Sequence, residues 1–277
     1  MQLESVEKLG RDLKSLRIAD MTVTEIRFLV DSYYTIQEYR KATDNQVLAM
    51  SKAGEPHEVI AWFSTQSTTI EAQIKRVLDK WTDSHAVSRW AKSITGIGPV
   101  ISAGLAAHID ITKAPTAGHI WRFAGLDPTQ TWDKGQKRPW NASLKTLCWK
   151  IGESFVKVSG MESDTYGKVY LTRKEAEVVA NERGNYAEQA AVKLEKFKIG
   201  KGTVARAAYD VGKLPAAHIH ARAKRYAVKL FLSHWHQVAY EIHYGCPAPK
   251  PWVLEHGGHA HYNAPPNWPT RMAAAGD

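Results

Sequence analysis

Cysteine is nearly absent from this chain: Cys148 and Cys246 are the only two in 277 residues. Two thiols cannot build the disulfide framework of a small secreted domain, so the expected compartment is reducing and intracellular, with a cytoplasmic location. Long apolar runs are missing as well. No stretch approaches the roughly 20 consecutive apolar residues of a membrane span, which argues against a membrane partner. The opening MQLESVEKLGRDLKSLRIAD is charged throughout and lacks the apolar core of a secretory signal. Neither Cys-x-x-Cys, His-Glu-x-x-His nor Gly-x-Ser-x-Gly occurs, and Lys198-Ile-Gly-Lys-Gly-Thr203 lacks the earlier glycine of a phosphate loop. Zinc hydrolysis, serine hydrolysis and nucleotide hydrolysis therefore find no footing.

What is present describes a folded, basic protein. Hydrophobic residues make up 44% of the chain and aromatics 10%, enough for a substantial core. The 37 Lys+Arg against 28 Asp+Glu are unevenly spread. Residues 1–90 carry 12 basic and 13 acidic side chains, whereas residues 91–277 carry 25 and 15. The excess belongs wholly to the later part, which points to a polyanionic partner there, nucleic acid before an anionic surface. A solvated positive face without a partner is the alternative.

The expected fold class is mainly α. From Val23 to about Lys52 the chain has no Gly or Pro, and Ile26, Leu29, Val30, Tyr33 and Tyr34 recur at helical spacing. Ala53-Gly54-Glu55-Pro56 breaks this helix. A second helix is predicted from about Glu58 to Asp83, with a stripe that includes Ile60, Trp62, Ile70, Ile74, Leu78 and Trp81. Antiparallel pairing of the two is the economical arrangement, and Tyr33, Tyr34 and Trp62 make a homo-oligomer through these helices conceivable. The chain divides into a long-helix segment at 1–84, a helical body at 85–244 and a Pro/His-rich tail at 245–277. Residues Asn181–Pro215 read as a short helix within a long loop or insertion. Six of the 12 prolines fall in the last 31 residues, so the tail is expected to be irregular, either wrapped over the body or mobile.

The motif with most physical content lies at Ser93-Ile-Thr-Gly-Ile-Gly-Pro-Val100. Val87, Trp90, Ala91 and Ile94 occupy one face of a helix, the glycines permit a tight turn, and Pro99 suits the first position of the next helix. This is a helix-hairpin-helix reading. Gly96 and Gly98 would expose main-chain N–H groups to a phosphate, Ile97 would plug the groove between the helices, and Lys92 would add charge. Such contacts grip the sugar-phosphate backbone without reading bases. A plain tight turn in a helical core is the alternative.

These residues, with Phe123-Ala-Gly-Leu-Asp-Pro128 and the basic Gly-containing loop after it, resemble the C-terminal helix-hairpin-helix domain of guide-RNA-dependent "bridge recombinase" insertion-sequence transposases. Further stretches resemble the same domain: Ile70–Val77 its linking helix, Tyr166–Glu182 the helix after the basic loop, and His218–Leu230 its terminal helix. The resemblance spans about residues 60–240, with 186–217 as an insertion. It implies DNA recombination with DNA, and RNA as an alternative, as partner. Complete members join this domain to a resolvase-like domain whose Asp-Glu-Asp-Asp carboxylates bind metal. The first 84 residues here contain no β-rich segment of that kind. The family also places a nucleophilic serine shortly after the Gly-Leu-Asp-Pro element, where this chain has Pro128-Thr-Gln-Thr-Trp-Asp-Lys-Gly135. The catalytic residues are therefore unassigned, and no cofactor is expected unless nuclease or recombinase activity brings in Mg²⁺.

Two further basic clusters are candidates for DNA contact. Lys134, Lys137 and Arg138 sit beside Trp132 and Trp140, which suits phosphate neutralisation with base stacking, or else an exposed loop anchored by its tryptophans. Lys145 and Lys150 on the next helix could extend that surface. His218, Arg222, Arg225 and Lys229 follow one another at helical spacing as a single stripe on the last helix. A zinc site built from His256, His259 and His261, with help from His234, His236, His243 or Cys246, lacks recognised ligand spacing, so no metal is expected. The function read from the sequence is a transposase-related DNA-binding protein, nucleoid-associated inside the cell, acting through non-sequence-specific backbone contacts. Two alternatives remain. One is a recombinase or nuclease subunit that completes its metal site with a partner, drawing on acids such as Asp127, Asp133 and Glu153. The other is a helical interaction protein without nucleic acid.

Overall fold

The computed structural model describes residues 18–55, 57–249 and 263–269. The described chain is mainly α, as the sequence pattern requires, with ten α-helices and two short 3-10 turns and no strand among the described residues. It separates into two compact units. One comprises the described parts of Met1–Ser93 together with Ile97–Ala114 and Ile242–Gly245; the other comprises Ile94–Gly96, Pro115–Glu241 and the described parts of Cys246–Asp277. No helix among the described residues is long and apolar enough to cross a membrane.

The first unit holds α1 (Val23–Lys52), α2 (Glu58–Asp83), α3 (Ala86–Lys92) and α4 (Pro99–His108). A capping box starts α1: Glu25 N–H donates to Thr22 Oγ1 at 3.3 Å, and Thr22 N–H donates to the Glu25 carboxylate at 2.7 Å. Helices α1 and α2 run antiparallel. Gln37 and Arg40 both reach Glu71, while Asp44, further along α1, meets Ser64, earlier in α2. Ile26 and Val30 of α1 close on Ile74, Leu78 and Trp81 of α2 and on Val100, Ala103 and Ala107 of α4. The two alanines let α4 approach closely, and Arg27 Nε donates to the Ala107 carbonyl at 2.7 Å, satisfying a helix-end acceptor. Tyr33 and Tyr34 pack against this core, whereas Trp62 remains 46% exposed.

The second unit is built on α5 (Ala117–Phe123), α6 (Ala142–Val158), α7 (Tyr166–Glu182), α8 (Ala187–Lys196), α9 (Val204–Asp210) and most of α10 (Ala216–Tyr244). Phe155 of α6 stacks on Tyr166 of α7 with centroids 5.0 Å apart, and Phe231 of α10 meets both rings edge-on. Gly167 makes this corner possible: a Cβ there would lie 2.6 Å from Ser159 Cα and 2.7 Å from the Phe155 carbonyl oxygen. Tyr166 OH donates to His234 Nδ1 at 2.6 Å, and His234 Nε2–H donates to the Asn263 carbonyl at 2.8 Å. Trp268 Nε1 donates to Glu241 at 2.8 Å, so residues 263–269 attach to α10.

The helices from Val23 and Glu58 begin where the sequence pattern places them, and α7 spans the Tyr166–Glu182 stretch that the resemblance marks as a helix. The insertion differs. Two short helices, α8 and α9, stand where the sequence suggests one. Their Ala190 and Tyr209 form a small core with Leu214 and with Ile219 of α10, and Leu194 and Ile199 are partly covered beside it.

Candidate nucleic-acid interface

Helices α3 and α4 are joined by the turn Ser93–Gly98. In the first unit, Ser102 Oγ on α4 donates to the Ser88 carbonyl on α3 at 2.9 Å, locking the two helices side by side. Ile97 is buried, at 4% exposure. Gly98 is the residue before α4, with extended φ −94° and ψ 179°, and Pro99 occupies the first helical turn. A Cβ on Gly98 would meet nothing within 4 Å, so the helix start is open to solvent. Gly96 differs. Its φ is +94°, a left-handed conformation, and an added Cβ would come within 3.2 Å of both Ser154 Oγ and Val158 Cγ2. Ser154 Oγ donates to its carbonyl at 2.5 Å. Lys92 is engaged elsewhere: its ammonium donates to Asp79 at 2.7 Å and to Asp83 at 2.5 Å on α2. Burial alone would lower its pKa, but these two carboxylates outweigh it and raise it.

The second unit carries the other predicted contacts. Between α5 and α6, Gly125 has φ +65° and lies under Trp140, whose Cγ would be 2.7 Å from a Cβ at that position. Trp132 meets Trp140 edge to face at 6.4 Å, and Trp132 Nε1 donates to the Gln136 carbonyl at 2.8 Å. The Arg138 guanidinium lies 4.9 Å from the centre of the Trp132 ring, and the Lys145 ammonium 3.9 Å from that of Trp140. Lys134 and Lys137 are exposed on the same loop. Asn141 closes it by capping α6, accepting from Leu144 N–H at 2.8 Å.

Charges from separate stretches meet here. Burial lowers the pKa of the Lys145 ammonium, and the nearby Arg138 and Arg225 guanidinium groups lower it further. Arg225, on α10, is lowered in turn by burial and by Arg222. Lys229 is also lowered by burial, partly offset by Asp127, and its ammonium lies 4.1 Å from the Trp121 ring centre. His218 is disfavoured as a cation by burial and by Arg225, Lys193 and Arg222. The cations along α10 are thus not equivalent. Arg222 Nε donates to Glu177 Oε2 at 2.6 Å, and Glu177, 2% exposed, also accepts from Arg173 and Tyr186. Burial would raise the Glu177 pKa, but these hydrogen bonds hold it down at about 2.

Two aromatic elements of this surface escape the sequence reading. Trp149 is 56% exposed on α6, with Lys150 and Lys224 ammonium groups 5.6 and 5.9 Å from its ring. A tryptophan on the helix face opposite Leu144, Leu147, Ile151 and Phe155 was the available signal. Trp121 donates from Nε1 to the Lys229 carbonyl at 3.0 Å and so props the far end of the stripe.

The acids considered for metal chemistry stand apart in their bonding. Asp127 accepts from Thr129 N–H and Oγ1–H at 2.9 and 2.7 Å, and Glu153 pairs with Lys224. Both ring nitrogens of His234 are used by Tyr166 and Asn263. No group of three or more His, Cys, Asp or Glu side chains that could hold a metal occurs among the described residues. His256, His259 and His261 lie outside the described residues.

Residues 88–137 match the model of the Transposase IS116/IS110/IS902 family. The match runs from α3 through the glycine turn, α4 and α5 into the tryptophan loop, and so relates this segment to transposases as its sequence resemblance implies. No curated protein and no solved structure matches the chain.

Proposed function

We propose that this protein binds DNA in a transposition or recombination process, holding the sugar-phosphate backbone without reading base sequence. One observation carries the reading: Arg138 and Lys145 lie over the neighbouring Trp132 and Trp140 rings at 4.9 and 3.9 Å, and Arg225 of another helix stands close enough to Lys145 for its charge, like that of Arg138, to disfavour the ammonium. Like charges gathered in this way cost the folded chain stability, and a polyphosphate relieves that cost while releasing its own counterions. Trp132 and Trp140 flank the cluster and supply stacking faces. The transposase match at residues 88–137 supports the same reading.

The α3–α4 turn supports a second contact, as a helix-hairpin-helix. Its open Gly98 start leaves the first N–H groups of α4 available to an anion. Gly98→Glu isolates this contribution, because an acid before a helix favours the helix while repelling phosphate.

Mobility shifts of the purified chain on duplex, branched and single-stranded DNA across a salt series test the proposal. Affinity is expected to fall steeply with salt, with branched DNA held at least as well as duplex, and to weaken in Gly98→Glu. Salt-independent binding, or none, would sink the reading. Cleavage of labelled DNA in Mg²⁺ would replace it with that of a nuclease or recombinase subunit.

A further inference from the structure

The residues between α7 and α10 form a small arm mounted at both ends. At its start, Tyr186 OH donates to Glu177 Oε2 at 2.6 Å. At its end, the Asn181 side chain brackets Leu214, donating from Nδ2 to its carbonyl at 2.9 Å and accepting from its N–H at 2.8 Å. Lys213 pairs with Glu182 beside this bracket. Helices α8 and α9 then close over Ala190, Tyr209, Leu214 and Ile219. The mount is well bonded; the tip is not. The connection Phe197–Thr203 contains no acidic residue, and its Lys198 and Lys201, with Lys196 just before it, are exposed without an ion pair among the described residues. Phe197 is 54% exposed, with the Lys193 ammonium 4.5 Å from its ring centre. Gly200 and Gly202 bring no side chain into the way of an approaching strand, and Thr203 folds the connection by donating from Oγ1 to the Gly200 carbonyl at 2.9 Å.

An exposed ring among cations, carried on a fixed support, has the chemistry of a stacking platform. Bases in a duplex already stack on one another, so a phenyl ring at a surface tip is offered only to an unpaired base. Lys193 stands against that ring and the exposed Lys196, Lys198 and Lys201 lie within four residues of it, charge of the kind that neutralises the phosphates flanking a stacked base. Lys193 also lies close enough to His218 for its charge to disfavour protonation of that imidazole, so the arm joins the cations of α10.

From this geometry we propose that Phe197, Lys193, Lys196, Lys198 and Lys201 form a binding site for single-stranded nucleic acid, Phe197 stacking a base while the lysines hold the flanking phosphates. The site rests on the nucleic-acid function proposed above, and it adds a strand-specific contact that the Arg138–Lys145–Arg225 cluster does not provide. Fluorescence anisotropy of the full chain on labelled oligo-dT, on oligo-U and on duplex DNA tests it. Phe197→Ala is expected to weaken single-strand binding about tenfold and to leave duplex binding within about twofold, whereas Phe197→Trp retains it. The combined change Lys196→Gln, Lys198→Gln, Lys201→Gln is expected to reduce the single-strand salt slope by about 2. All four positions are exposed, so circular dichroism and the urea midpoint should match wild type. Unchanged single-strand binding in both variants overturns the site, and so does a loss confined to the lysine variant, which would mean charge without stacking. If wild type binds duplex and only these variants are silent, the arm alone is refuted. If wild type binds no nucleic acid at all, both proposals fall together. Preference between oligo-dT and oligo-U reports the sugar and the thymine methyl together, and oligo-dU separates the two.

Discussion

Arg222 donates to Glu177 across 2.6 Å, and this pair divides the cations of α10 by role. Glu177 is buried and also holds Arg173 and Tyr186, so the Arg222 charge is answered inside the protein. Arg225 makes no ion pair among the described residues and instead stands close enough to Lys145 to lower its pKa. Neighbours on one helix therefore serve packing and surface charge respectively.

Arg222→Gln is expected to cost about 2 kcal/mol of stability, because it leaves a buried carboxylate with fewer partners. DNA affinity of the folded protein should stay within about twofold. Arg225→Gln should do the reverse, with stability within about 0.5 kcal/mol and a duplex salt slope lower by about 1. Urea unfolding and anisotropy on the same two variants check both.

Acid lability should arrive in two windows. Burial lowers the His234 pKa from 6.5 to about 4, so the unfolded chain binds the proton first as pH falls. Stability is then full above about pH 6.5 and declines toward pH 4. Glu177, held at about 2 against 4.5, adds a second decline from about pH 4.5 toward 2. Each shift corresponds to about 3 kcal/mol. His234→Gln should flatten the upper limb and Glu177→Gln the lower, read as unfolding midpoint against pH. Glu177→Gln should also lower stability at neutral pH, where the wild-type carboxylate is charged and paired.

The two turn glycines should separate folding from binding. Gly96→Ala forces a side chain into a left-handed conformation against Ser154 and Val158, at about 1–2 kcal/mol. Gly98→Ala enters open space at an ordinary φ and should change stability by less than about 0.5 kcal/mol. Thermal unfolding of the two variants distinguishes them.

Gly125→Ala should dislodge Trp140. The left-handed φ costs about 1–2 kcal/mol, and the new methyl meets the indole ring. A shifted tryptophan emission maximum with weakened DNA binding is the expected pair of readouts.

Helix positions were legible because Gly and Pro punctuate them: Ala53-Gly54 ends α1, and Pro99 begins α4. The arm was less so, since its two helices, of ten and seven residues, are too short to show a long apolar stripe and their burial depends on each other. The cation stripe on α10 was visible as a pattern, but its partners were not. Glu177 stands 45 residues before Arg222, and no local spacing announces a tertiary ion pair. Lys92 is similar: its position beside the turn is local, whereas its engagement by Asp79 and Asp83 depends on how α3 folds back to α2. Resemblance reached the same region by another route, and the family match at 88–137 covers Lys92, Gly96, Ile97, Gly98, Lys134 and Lys137.

The Asn181 amide bonds both main-chain groups of Leu214, 33 positions away, so the polypeptide leaves the body and returns to it at a single point. A short glycine bridge could close that gap. Excision would still strip Tyr186 from Glu177 and Gln189 from Arg222 and bare Ile219, so a grafted module has to restore those contacts, as a plug must match its socket.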